Sequence, residues 1–74
     1  MLKIKDNVDL KELIKYGFTT KMYEPFEYIF ITNGLGIFEK NPDRRIEVRN
    51  GFDIVDLEIL YDLIKDGLVE KVEG

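Results

Sequence analysis

The chain contains no Cys, His, Ser, Trp, Ala or Gln, and each gap removes a class of chemistry. Without Cys there is no disulfide to staple a small fold and no thiolate to hold zinc. Without His, Cys or Ser there is no hydrolytic triad, and neither a Gly-x-Gly-x-x-Gly turn nor a phosphate loop occurs. Carboxylates, lysines, tyrosines and Thr19, Thr20 and Thr32 remain, and Glu27 and Glu39, on different faces of the expected hairpin, do not make a general acid and base pair. The expectation is therefore a protein that is not an enzyme, with no catalytic residue, no cofactor and no metal.

Long apolar runs are missing too. Nothing approaches the roughly 20 residues that span a bilayer, and the opening Met1-Leu2-Lys3-Ile4-Lys5-Asp6 lacks a signal-peptide core. Cytoplasmic localisation, with no membrane partner, is the expectation that follows. Basic excess is also absent. The net charge is −4, and residues 53–74 carry seven acids against two lysines, which leaves residues 1–52 at +1. An acidic end of that kind disfavours general binding to phosphate backbones.

What is present suits one small folded domain, residues 1–74, at 45% hydrophobic and 35% charged residues. A single core of this size supplies only about 3–5 kcal/mol, so tight packing or association has to help.

The most organised stretch is Asp53 to Val72. At 100° per residue Leu57, Ile59, Leu60, Tyr61, Leu63 and Ile64 fill one wide apolar arc, which predicts a helix lying across a sheet. Asp53 is placed as its N-cap, with Asp56 completing a capping box and Phe52 positioned to staple Leu57; Asp56 is the alternative cap, which moves the start by about three residues. Gly67 followed by Leu68 ends it as a Schellman stop.

From the start, Leu2 and Ile4 alternate with lysines as a short strand. Asp9, with Glu12 three residues on and Val8 before it to staple Leu13, opens a first helix whose buried face is Leu10, Leu13 and Ile14, stopped by Gly17-Phe18. The two stop signals match residue type for residue type, which convergence on a few good capping residues explains without a duplication. A loose strand from Phe18 is interrupted at Glu24-Pro25. Phe26 to Thr32 is a strong strand, Asn33-Gly34 calls for a type I′ hairpin turn, and Gly36 to Lys40 returns. That turn sets Thr32 opposite Leu35, Phe30 opposite Ile37, Ile29 opposite Phe38 and Glu27 opposite Lys40, although a longer Asn-Gly-Leu-Gly loop would move the register. Asn41-Pro42-Asp43-Arg44 is a second turn. Residues 45–49 then alternate, with Ile46 and Val48 dry and Arg45, Glu47 and Arg49 wet. Leu68 to Val72 is a closing strand able to pair with the opening one, bringing Glu70 and Glu73 near Lys3 and Lys5. The order β-α-β-β-β-β-α-β predicts an α+β fold, a mainly antiparallel sheet with two helices packed on one face.

Three surfaces are candidates for contact. The central hairpin is apolar on both sides, with Tyr28, Phe30, Leu35 and Ile37 on one and Ile29, Ile31 and Phe38 on the other. Two helices cover one side, so the second is either a partner or homodimer interface or lies under loops. The helix carries an acidic stripe, Glu58, Asp62 and Asp66, which fits a solvated face better than a site, since it spreads over about 12 Å. The third is a basic group, Lys40, Arg44, Arg45 and Arg49, beside Tyr28 and Phe38. It faintly resembles a base-stacking sheet, against which stand Asp43, Glu47 and the acidic balance. The partner surface is thus expected among Ile29, Ile31, Phe38, Arg45, Arg49, Glu58 and Asp62, acting by protein contact with another protein or a second copy. A nucleic-acid module using Tyr28, Phe38, Arg45 and Arg49, or a purely structural oligomer subunit, are the alternatives.

Two resemblances bear on this. Lys65-Asp66-Gly67-Leu68-Val69-Glu70-Lys71 resembles the join between recognition helix and wing in winged-helix DNA-binding proteins. The chain lacks the two further helices of that fold and its outer face is acidic, so the likeness is of a stop signal only. More broadly, the opening Met1 to Leu13, the following Tyr16-Gly17-Phe18 and the closing Leu60 to Val72 resemble small proteins of bacteriophages and prophages of low-GC Gram-positive bacteria. That resemblance implies an accessory protein of a mobile element and brings no catalytic residues with it.

Overall fold

A computed structural model describes residues 1–23, 27–38 and 43–72. The expectations placed on Glu24, Pro25, Phe26, Glu39, Lys40, Asn41, Pro42 and Glu73, and on the side chains of Glu27 and Tyr28, lie outside what is described. In chain order the elements are β1 (Leu2–Ile4), a 3-10 helix (Leu10–Tyr16), β2 (Thr19–Tyr23), β3 (Glu27–Ile31), β4 (Leu35–Phe38), β5 (Glu47–Val48), α1 (Ile54–Lys65) and β6 (Val69–Lys71). The fold is α+β, with an antiparallel pair β1-β6 and an antiparallel meander β2-β3-β4-β5.

The pairing of the chain's two ends follows the sequence. Lys3 sits opposite Glu70, their side chains 3.4 Å apart, and Ile4 opposite Val69. The sheets are stitched together by the segment before β5: Ile46 N–H donates to Leu2 O and Ile4 N–H to Arg44 O. The chain then changes partner, so that Glu47 and Val48 pair with Gly36 and Leu35 of β4. This switch breaks the expected alternation of residues 45–49. Ile46 is buried as anticipated, but Val48 is 71% exposed.

The first helix corrects the sequence reading. It is a seven-residue 3-10 helix, longer than is usual for that form. With three residues per turn, Leu10, Leu13 and Tyr16 fall in one row and turn toward the core, while Ile14, expected to be buried, is 53% exposed. Asp9 caps the start by accepting from Lys11 N–H. The two stop signals work alike: Phe18 N–H donates to Leu13 O and Leu68 N–H to Leu63 O, around left-handed Gly17 and Gly67.

The core lies between the strands and the two helices and is built from Ile4, Leu10, Leu13, Phe18, Phe30, Leu35, Ile37, Ile46 and Leu63. The β3-β4 register is the one the sequence predicts, Ile29 with Phe38 and Phe30 with Ile37. Its turn is not type I′, because neither Asn33 nor Gly34 has a positive φ. Gly34 serves close approach instead: a Cβ there would stand 2.2 Å from the Phe52 Cα. The turn is pressed directly onto the chain entering α1.

Candidate protein-contact face of the long helix

The α1 start is built as the sequence implies. Asp53 accepts from Val55 N–H at 3.0 Å and its own N–H donates to Asp56 Oδ2 at 3.0 Å, closing the capping box. The second oxygen of Asp56 has a role the sequence did not announce. It accepts from Thr32 Oγ1–H at 2.6 Å and from Gly34 N–H at 3.0 Å, so one carboxylate joins the helix start to the hairpin turn. Thr32 Oγ1 accepts in turn from Leu35 N–H, and Arg49 N–H donates to Gly34 O. Asp56 is fully buried and ionised: chiefly the Thr32 hydroxyl, then the Asp53 and Gly34 N–H groups, hold its carboxyl below the usual range against the opposing effect of burial. Thr32, with glycine at 34 facing a capping-box acid, was the only hint available beforehand.

The rest of the helix departs from expectation. The apolar arc does not lie wholly on a sheet. It splits into an inward strip, with Leu63 buried and Ile59 and Leu60 half-buried, packed toward the 3-10 helix and β6, and an outward strip. Ile54 and Tyr61 are each 64% exposed, Ile64 51% and Leu57 50%. Phe52, expected to staple Leu57, is 37% exposed. The physical cause is the position of Asp56. Once its carboxylate is turned inward to the hairpin, the residues on the same face as Asp56 and Leu63 are buried, and the flank carrying Leu57 and Tyr61 is turned out.

Glu58 and Asp62 are exposed and, with Leu57 and Tyr61, line a shallow hollow of about 450 Å³. The third acid of the stripe is engaged, since Asp66 accepts from Tyr16 O–H at 2.6 Å. That bond pushes the Tyr16 hydroxyl up to about 12, because the proton is held against a carboxylate.

The hairpin's second face is more covered than the sequence suggested. Ile29 is only 4% exposed, which takes it out of any contact surface, and Ile31 and Phe38 are half-buried. Beside Gly36, the Arg49 Cδ and Ile29 Cδ1 stand 3.5 and 3.7 Å from where a Cβ would be, at ordinary contact distance. The Arg49 guanidinium donates to Thr32 O at 3.0 Å. Arg44 donates to Lys5 O, and Arg45 pairs with Asp43 at 3.0 Å. Each arginine of the expected basic group is thus engaged within the chain. The hollow lined by Lys3, Asp43, Glu70 and Lys71 mixes both signs of charge, so it offers no single-sign ligand site. Among the described residues no helix is long and apolar enough to cross a membrane.

Comparison with known protein families, with curated proteins and with solved structures finds no match.

Proposed function

We propose that this chain acts by protein contact, through the outward strip of α1 rather than through the hairpin. The observation that carries this is four large apolar side chains, Ile54, Leu57, Tyr61 and Ile64, each at least half exposed on one flank of one rigid helix. Isolated exposed apolar residues need no explanation, but a contiguous row is a feature of association sites. Glu58 and Asp62 beside it form the polar rim that such sites carry. An accessory role of the kind that the resemblance to phage and prophage proteins implies would use such a contact face.

Affinity capture with nuclease treatment tests the reading, using the wild-type chain and a Leu57→Glu/Tyr61→Glu variant as baits. Both positions are exposed, so the variant keeps its fold. A protein held by the wild type and lost by the variant is the expected result. Equal recovery by both baits contradicts it.

A further inference from the structure

Ile54, Leu57, Tyr61 and Ile64 are spaced three, four and three residues apart, the a and d spacing of a helix that packs against another helix. On one side of this seam stand Glu58, Asp62 and Lys65; on the other stand Asp53 and the half-buried Leu60. From this we infer that the occupant of the outward strip is a second copy of the chain, its α1 lying antiparallel to the first, an assignment that rests on the contact reading above.

The orientation follows from charge. A twofold antiparallel pair sets each flank beside the same flank of the other helix. Glu58 and Asp62 of one copy then share a side with Lys65 of the other, as well as with the other copy's two acids, and apolar Leu60 meets Leu60. A parallel pair crosses the flanks and sets Glu58 beside Asp53, acid against acid, with the two helix dipoles aligned side by side. Only the antiparallel direction brings Lys65, the one cation of the helix, beside an acid of the other copy.

Its size sets the strength. Ile54 to Ile64 spans about 15 Å of helix, so four half-exposed side chains bury less than the roughly 800 Å² per partner of a standard interface. The dimer is a weak one, forming in the range of about 10 µM to 1 mM.

Sedimentation equilibrium across that range, at low ionic strength, tests the assignment. The wild type is expected to rise from the 8.7 kDa monomer toward twice that mass. Leu57→Glu/Tyr61→Glu should stay monomeric, with a thermal midpoint equal to that of the wild type at about 1 µM, where both are monomers. Glu58→Lys and Lys65→Glu should each weaken the dimer by about 5-fold, and the double charge swap should restore it, as flanking ion pairs of modest strength require. A wild type that is monomeric throughout, a dimer that survives Leu57→Glu/Tyr61→Glu, or a dimer tightened by Glu58→Lys each overturns the antiparallel pair. A monomeric wild type whose bait still loses a captured protein in the Leu57→Glu/Tyr61→Glu variant removes the second copy while leaving the contact face standing.

Discussion

The two flanks of α1 are nearly equal in apolar content and opposite in fate. The inward flank has a carboxylate at its centre, Asp56, and is buried; the outward flank has Leu57 and Tyr61 and is exposed. Hydrophobicity alone does not decide which part of an arc meets the core. What decides it here is a fixed point elsewhere, the hairpin turn, to which Asp56 is tied through Thr32 and Gly34.

The sharpest way to break this comparison is to exchange the roles of neighbours. Asp56→Ala strips acceptors from Thr32, Gly34 N–H and Asp53 N–H together, at a cost of about 3–5 kcal/mol in urea unfolding, whereas Leu57→Ala should cost less than about 0.5 kcal/mol. If the two losses are equal, the inward and outward assignment is wrong. One turn further on, Leu63→Ala should cost about 3 kcal/mol through cavity formation and Ile64→Ala less than about 1 kcal/mol. Comparable losses at both sites would mean that the outward strip is covered within the monomer.

Acid titration sharpens the account of Asp56. Its carboxyl is held below the ordinary value in the folded chain, so the stability it contributes is complete above the unfolded value of about 3.9 and is lost as pH falls through the folded one. The gap in stability between the wild type and Asp56→Asn should therefore be constant near neutrality and shrink below about pH 4. A gap that does not change on acidification would mean that the carboxylate charge is not what the junction uses. The smallest effect belongs to the helix end. Tyr16→Phe removes the bond to Asp66 and should lower the urea midpoint only slightly, while ultraviolet titration of the tyrosines should show one hydroxyl ionising late, near 12. Tyrosines that all titrate together near 10 would count against that bond.

Local features were legible in the sequence because they are decided by a few adjacent residues. The capping box of Asp53 and Asp56 and the stops at Gly17 and Gly67 depend on short-range geometry; the pairing of the chain's ends spans the whole sequence and was legible from alternation and the opposite charges of Lys3 and Glu70 instead. The hairpin register was legible even though its turn geometry was not, since Thr32 opposite Leu35 fixes the pairing whatever backbone the turn adopts. The 3-10 helix was hidden because Leu10 and Leu13 satisfy a period of 3.0 and of 3.6 equally, and only the outward Ile14 tells them apart. Most of the candidate contact face was illegible for a different reason. Whether Leu57 and Tyr61 are covered depends on where Asp56 is anchored, and that anchor comes from Thr32 and Gly34, more than twenty residues earlier.

The central proposal is that α1 folds the chain with one flank and associates with the other. Dilution of the isotopically labelled protein from about 1 mM, followed by amide chemical shifts, tests it residue by residue in the range where weak dimers dissociate. Shifts confined to α1, largest around Leu57, Tyr61 and Ile64 and small in β3 and β4, are the predicted result. Shifts centred on β3 and β4 with α1 unmoved would contradict it.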